Sequence, residues 1–255
     1  MMPQGPKTVT AAVIIIGDEI LSGRTKDKNL SFLAEALNDV GVQLRECRVV
    51  ADVEGEIAAA VNALRGGYDY VFTTGGIGPT HDDITADSIG AAFGLAVDYH
   101  PGAMDILKAH YAHTGGELNR ARMRMARTPI GAVLVENPVS KAPGFRVENV
   151  YVLAGIPVVC QAMFHSLKHE LVGGDPVRSI AIAVHLAEGT LAKSLTGLQE
   201  KYPEVSLGSY PFHRDGRFGA SIVARSQLPD KLAAAADDIR QLMRELGGNP
   251  MEEDG

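Results

Sequence analysis

At 255 residues the chain has room for one large domain, or a large one with a small companion, since domains commonly run to about 100–200 residues. Hydrophobic residues at 45% and charged residues at 22% are the proportions of a globular fold able to bury a real core. A formal charge of −7 argues against the polyphosphate backbone of a nucleic acid as partner, but leaves room for one small phosphorylated ligand held by main-chain donors.

Tryptophan is absent and aromatics make up only 5%, so the core must rest on Ala, Val, Ile and Leu, which suits helices packed on a parallel sheet. Cys47 and Cys160 are too few and too far apart for a disulfide framework or a multi-cysteine zinc site. Two partly buried thiols in a reducing, cytoplasmic compartment are expected. The apolar run Val9–Ile16 stops at Asp18-Glu19, well short of the roughly 20 residues that span a bilayer. No secretory signal precedes it, and no membrane partner is expected.

In chain order, Val9–Ile16 reads as a buried, β-branched strand closed by Gly17. Leu30, Leu33, Ala34 and Leu37 share one helical face, and Gly41 stands where that helix should stop. Val42–Val50 reads as a second strand, Ile57, Val61 and Leu64 mark a second helix, and Tyr70–Thr74 is a third strand running into glycines. Strand, helix, strand, helix, strand is the signature of a doubly wound α/β sheet, whose ligands sit beyond the carboxyl ends of the strands. The polar segments 17–29, 51–54 and 75–85 all follow strand ends and should converge on one crevice. A helical pattern covers 102–127 with a break at Gly115-Gly116; strands are expected at 133–136 and 150–153, and a helix at 158–171.

Gly173-Gly174-Asp175-Pro176 reads as a linker. Beyond it the pattern gives a strand at 178–185, a helix at 188–201, strands at 205–212 and 217–225 joined by an Asp215-Gly216 turn, and a helix at 230–246. This small α+β unit, 177–247, is of only about 70 residues and should dock on the first domain or on another copy. Residues 248–255 are expected to fray.

Thr74-Gly75-Gly76-Ile77-Gly78-Pro79-Thr80 lies between a strand and a helix. Glycines there permit positive φ and bring main-chain N–H groups close to a ligand. A helix starting near Thr85, read as its N-cap, adds the positive end of its dipole; together these suit phosphate. The loop lacks the Gly-Lys-Ser/Thr of a Walker motif and the Gly-x-Gly-x-x-Gly of a Rossmann fingerprint. A tight strand-to-helix connection is the alternative.

His81-Asp82-Asp83 follows, and carboxylates beside a phosphate cradle repel the ligand unless a hard divalent cation bridges the two. Either aspartate could instead cap the next helix. Asp18 and Asp52 follow the first and second strands and should lie on the same rim as Asp83. His165 and His169, four apart on a helix, lack the intervening glutamate of a metalloprotease motif and read as a solvated face, as do His110 and His113. Arg120, Arg124 and Arg127 share a helical face, which fits a phosphate contact or a solvated surface.

Gly17-Asp18-Glu19-Ile20-Leu21-Ser22-Gly23 with Asp27 and Asn29, and then Thr74-Gly75-Gly76-Ile77-Gly78-Pro79-Thr80-His81-Asp82-Asp83-Ile84-Thr85, resemble two motifs of the molybdenum-cofactor-biosynthesis (MoaB/Mog, molybdopterin-binding) domain family. Asn137-Pro138, Ala142-Pro143-Gly144-Phe145 and Leu153-Ala154-Gly155-Ile156-Pro157 resemble its later motifs. The most similar branches are the N-terminal region of competence/damage-inducible protein A (CinA) and the molybdopterin-binding-like domain of eukaryotic FAD synthase. The resemblance implies a three-layer α/β/α domain with a mostly parallel sheet over 1–173, and a KH-like unit over 177–247.

It further implies a nucleotide or pterin ligand, a homo-oligomer, and divalent-metal-dependent (Mg²⁺ or Co²⁺) hydrolysis of a nucleotide pyrophosphate such as FAD or ADP-ribose. The alternatives are a molybdopterin-binding or adenylylating protein and a non-catalytic ligand-binding module. Carried over by position, Asp52 and Asp83 would be catalytic and Asp18, Asp82 and Asp83 would hold the metal. Thr74, Gly75, Gly76, Gly78, Thr80, Asn29, Gly155 and Pro157 would bind the ligand. Two departures stand out: Ala154-Gly155 replaces the usual Pro-Gly, and apolar Val158-Val159 follows Pro157 where CinA proteins carry an acidic residue. Neither the amidase domain of CinA nor the adenylyltransferase domain of FAD synthase is expected in this chain. The KH-like unit shows no clamping Gly-x-x-Gly between helices, since Gly216–Gly219 falls in a hairpin, so RNA is not expected to bind.

Overall fold

The computed structural model describes residues 7–214 and 216–253, in two compact units, Thr8–Gly174 and a smaller one of Lys7 with residues from Asp175 on. In the larger unit the chain runs β1 (Val9–Ile16), a short α1 (Asp18–Leu21), α2 (Asn29–Asp39), β2 (Val42–Val50), α3 (Glu54–Arg65), β3 (Tyr70–Thr74) and α4 (Thr85–Phe93). It continues with β4 (Val97–Tyr99), α5 (Pro101–Thr114), α6 (Arg120–Met123), β5 (Arg127–Pro129), β6 (Val133–Val135), β7 (Gly144–Val147), β8 (Val150–Leu153) and α7 (Pro157–Leu167).

Burial on both faces explains the first strand. Ala11, Val13 and Ile15 of β1 enter one core with Leu33 and Leu37 of α2 and Cys160, Met163 and Phe164 of α7. Ala12, Ile14 and Ile16 enter another with Ile57, Val61 and Leu64 of α3 and Ile89 of α4. A strand covered on both sides reads as an unbroken apolar run. The result is a three-layer α/β/α sandwich around a six-stranded sheet of order β2-β1-β3-β8-β7-β6.

β2, β1, β3 and β8 are mutually parallel, and β7 and β6 follow as antiparallel neighbours. Their register decides where the site lies. Ile16 sits beside Val50, Ile15 beside Thr74, and Thr74 beside Leu153, so all four parallel strands end on one rim. The ladder between β1 and β2 carries a bulge at Arg45, where Ala11 faces Leu44 and Ala12 faces Glu46.

Several expectations need correcting. Thr85 is not the N-cap of α4; that position falls to Ile84, and the Thr85 hydroxyl turns inward. The helix expected to 171 ends at Leu167 and closes with a 3-10 turn, Lys168–Glu170. The short strands β4, β5 and β7 had no sequence reading. Of the two thiols, Cys47 is exposed and Cys160 buried rather than both half-covered.

The smaller unit runs β9 (Arg178–Val184), α8 (Glu188–Lys201), β10 (Ser206–Arg214), β11 (Arg217–Ser226), α9 (Pro229–Glu245) and β12 (Met251–Glu253). Its antiparallel sheet has the order β10-β11-β9-β12, with Ile182, Ile222, Leu232 and Ile239 in the core beneath the helices. β12 pairs with β9 where a frayed tail was expected. Lys7 belongs here through paired main-chain and side-chain bonds to Asp175. Asp215, half of the expected turn, lies outside the described residues. Among the described residues no helix is long and apolar enough to cross a membrane.

Phe72 of β3 is fully buried, stacked on Tyr151 at 5.2 Å and 5.9 Å from the Phe164 ring. Phe72→Ala should cost about 3–5 kcal/mol, seen as a lower urea midpoint for the larger unit.

Candidate functional site

On the rim where the parallel strands end lies a cleft of about 640 Å³. Gly17 and Glu19 follow β1, Asp52 follows β2, Gly75 to Pro79 with Asp82 and Asp83 follow β3, and Ala154 to Pro157 follow β8. The segment from Asn137 to Ala142 forms a further wall.

The floor is the glycine loop. Gly75 has φ +109° and Gly76 φ +65°, conformations that L side chains rarely adopt. A Cβ on Gly75 would fall 2.2 Å from the Ile16 carbonyl, and one on Gly76 2.2 Å from Thr85 Oγ1. The turn is held from below: Thr85 Oγ1 donates to the Gly75 carbonyl at 2.9 Å, the Thr85 amide to the Gly76 carbonyl at 3.0 Å, and the Gly75 amide to the Leu153 carbonyl at 3.2 Å. With the carbonyls drawn down, the amides of Gly76, Ile77 and Gly78 find no acceptor among the described residues. Three successive N–H groups without an acceptor, on a loop that lines the cleft, are the kind of donor run that suits an anion.

The acidic side is as specific. Asp52 Oδ2 accepts from the Asp18 amide at 2.9 Å. Burial pushes the Asp52 carboxyl above its ordinary value, the Asp18 amide opposes that rise, and the negative charges of Asp18, Glu19 and Asp82 add to it. Asp82 is exposed, and the Thr80 hydroxyl that it shares with Asp83, its own amide and nearby His81 hold its carboxyl low. Asp83 Oδ2 accepts from Thr80 N at 2.7 Å and Thr80 Oγ1 at 2.6 Å, and the carboxylate lies where a Cβ on Gly78 would stand. One oxygen of Asp83 therefore shapes the loop.

Of the residues singled out in the sequence, Asp52, Asp82, Asp83, Gly75, Gly76, Gly78, Gly155 and Pro157 line the cleft. Four lie outside the lining. Thr74 is buried beneath it. Asn29, 3% exposed, donates from Nδ2 to the Gly155 carbonyl at 2.8 Å and leaves Oδ1 buried without a partner. Thr80 serves Asp83, and Asp18 offers Asp52 its amide. Glu19 was missed, although Gly17 before it is the signal: its carboxylate occupies the space that a Cβ at 17 would need. Asn137 was also missed as a wall residue; it is 3% exposed, bonds to Ser140 and Ala142, and shapes its own loop. The stretch after β8, which departs from the family's pattern, leaves Ile156 and Val158 exposed at 64% and 60%, an apolar border.

The donor chemistry suits a hard cation in part. Asp52, Asp82 and the free oxygen of Asp83 supply carboxylates. Among the described residues, however, no three His, Cys, Asp or Glu side chains converge closely enough to hold a metal alone, so Asp18, Asp82 and Asp83 form no closed ligand set. Mg²⁺ commonly binds through one or two carboxylates plus substrate phosphates, and that partial set fits these residues. His165 and His169 are exposed and form no such group either. A groove of about 610 Å³ in the smaller unit, between α8 and β10, is mainly apolar.

Residues 12–173 match the family described as "Probable molybdopterin binding domain". The chain belongs to this molybdopterin-binding domain family. Residues 176–248 match "FAD synthase, middle domain". A protein of Aeropyrum pernix is 33% identical over 96% of this chain and 97% of its own length. A "Probable FAD synthase" of Caenorhabditis elegans is 29% identical over 94% of this chain, which spans 51% of that protein's length. A "CinA-like protein" of Geobacter metallireducens is 31% identical over 96% of this chain and 61% of its own length. Among solved structures, CinA of Thermoplasma acidophilum, described as of unknown function, superposes with a TM-score of 0.59 at 32% identity, over 64% of this chain and 98% of that one. The α/β fold with its mostly parallel sheet is thus that of the family.

Two outcomes test this geometry. Thr85→Val should leave the Gly75 carbonyl unpaired in a buried place, cost about 1–3 kcal/mol in urea unfolding, and weaken anion binding at the loop. Asp52 gives a pH signature in metal-free protein. Its folded carboxyl titrates above the ordinary 3.8, so the fold favours the protonated form and loses that stability as pH rises through the shifted value. Asp52→Asn should therefore unfold at a higher urea concentration than the parent at neutral pH. The gain should vanish once both folded and unfolded Asp52 are protonated.

Proposed function

We propose that the cleft binds the phosphoanhydride of a dinucleotide such as FAD or ADP-ribose and hydrolyses it with the help of a divalent cation. One observation carries this reading: the unpaired amides of Gly76, Ile77 and Gly78 share a single cleft with Asp52 and Asp82. Donors and carboxylates in one crevice suit a ligand that is anionic and is attacked by water. The "FAD synthase, middle domain" match and the "Probable FAD synthase" relative support a nucleotide of this kind.

In the reaction, water adds to one phosphorus, the bridging P–O bond breaks, and two phosphomonoesters leave: AMP with FMN from FAD, or AMP with ribose 5-phosphate from ADP-ribose. Asp52 takes the proton of the attacking water, a role its raised carboxyl suits. Its orientation comes from the Asp18 amide. The Gly76–Gly78 amides stabilise charge on the phosphoryl oxygens as it develops. Asp83 keeps those amides in place through Thr80 and Gly78. A cation such as Mg²⁺ or Co²⁺, held by Asp82 and Asp83 with the phosphates, would supply the positive charge that lets carboxylates and phosphates share the cleft.

Incubation with FAD or ADP-ribose and Mg²⁺ or Co²⁺ should release AMP, read by chromatography, and EDTA should stop it. Asp52→Asn should lower turnover about 100-fold or more with little change in nucleotide binding. Formation of adenylylated molybdopterin from ATP would favour a role in cofactor biosynthesis instead, and tight nucleotide binding without any product would leave a binding module.

A further inference from the structure

Beside the cleft, a groove of about 600 Å³ is lined by Tyr99, Arg120, Ala121, Arg124 and Arg127. The local fold brings these together. Tyr99 of β4 stands opposite Arg127 of β5 in the two-stranded ladder, and α6 with the 3-10 turn Arg124–Ala126 presents Arg120 and Arg124 one helical turn apart. Their charges are unequal. Arg127 is neutralised by a two-pronged ion pair with Asp87, at 2.8 and 2.7 Å. Arg120 has no ion-pair or hydrogen-bond partner among the described residues. Arg124 donates from Nη2 only to a main-chain carbonyl, that of Asp83 at 3.2 Å, and its Nε is buried with no acceptor.

Two uncompensated guanidinium groups in one groove are unexpected in a chain with a net charge of −7. A buried guanidinium donor without an acceptor has lost its water for nothing, unless an anion or a bound water completes it. The groove also shares a wall with the cleft. A crevice of about 20 Å³ between them is lined by Gly76, Ile77, Gly78 and Asp83 of the cleft and by Arg124 and Arg127 of the groove. Arg124 thus reaches from the back of the glycine loop to the groove floor. Tyr99, 42% exposed, adds an aromatic ring.

We infer that this groove is a second subsite, which takes the nucleoside monophosphate half of the ligand: its phosphate on Arg124 and Arg120, its base against Tyr99. The inference rests on the reading of the cleft as a dinucleotide site. Guanidinium groups match phosphate oxygens with several donors at once, and an exposed ring offers a base a stacking face. A ligand with one anionic group would fill only the cleft; one with two phosphates and a base would use both.

The test uses AMP and ADP-ribose as probes, in calorimetry on the whole chain, with ribose 5-phosphate as the probe that lacks a base. Arg120→Gln and Tyr99→Ala touch exposed residues outside the cleft and should leave folding and the cleft intact. Each should weaken AMP and ADP-ribose binding about 10-fold; ribose 5-phosphate should weaken with Arg120→Gln but bind as before to Tyr99→Ala, and Tyr99→Phe should restore AMP binding. In turnover, Arg120→Gln should raise KM with kcat unchanged. Parent-like AMP binding by both variants, or no AMP binding to the parent at millimolar concentration, overturns the subsite. The two readings fail separately: AMP binding that depends on Arg120 without AMP release from dinucleotides keeps the groove and removes the hydrolase, whereas hydrolysis with an unchanged KM in Arg120→Gln does the reverse.

Discussion

Everything at the cleft follows from where the carbonyls of two glycines go. Thr85 draws the Gly75 carbonyl with its hydroxyl and the Gly76 carbonyl with its amide, both glycines take positive φ, and the amides of Gly76, Ile77 and Gly78 are left without an acceptor among the described residues. Main-chain donors left unpaired cost free energy wherever solvent is scarce, so a fold keeps such a run only where water or a ligand satisfies it. Fixed donors of this kind need no reorganisation when charge appears on a bound group, which is the basis of their catalytic value.

Opposing those donors is a surplus of negative charge. Desolvation and the neighbouring Asp18, Glu19 and Asp82 act on Asp52 in the same direction, and only the Asp18 amide relieves it. An isolated carboxylate would gain little from such company. Under the proposed function the arrangement makes sense, because a cation bound with a phosphorylated ligand would turn mutual repulsion into shared coordination. Among the described residues no three such side chains converge, so under that proposal part of the coordination would be left for the ligand to supply.

Most of this was legible in the sequence where burial or backbone strain leaves a pattern. The parallel strands β1, β2 and β3 showed as apolar runs because both faces are covered, and the strand order then put the loops after residues 16, 50 and 74 on one rim. Gly75 and Gly76 showed because only glycine fits their φ. What stayed hidden depends on contacts distant in sequence. Thr85 looked like a cap, yet its hydroxyl is held by a carbonyl ten residues earlier. Asp83 and Asp82 are neighbours of one type, and only the position of Thr80 shows that the first shapes the loop while the second stays exposed. The strands β4, β5 and β12, of three residues each, lack the unbroken apolar run that marked the equally short Val133–Val135. The arginine cluster was legible as the spacing of Arg120, Arg124 and Arg127, whereas the net charge of −7, a sum over the chain, gives it no address.

The bulge at Arg45 has a consequence for how this protein keeps its own company. β2 closes one side of the large sheet, where open main-chain groups invite a stranger's strand. Arg45, Glu46 and Arg48 stud that border with charge of both signs, and the extra residue skews its spacing. A regular strand arriving there would meet mismatched hydrogen-bond partners and crowded side chains. Self-association by lengthening the sheet is thereby discouraged, and crowded solutions of the folded chain should resist fibre growth from this edge.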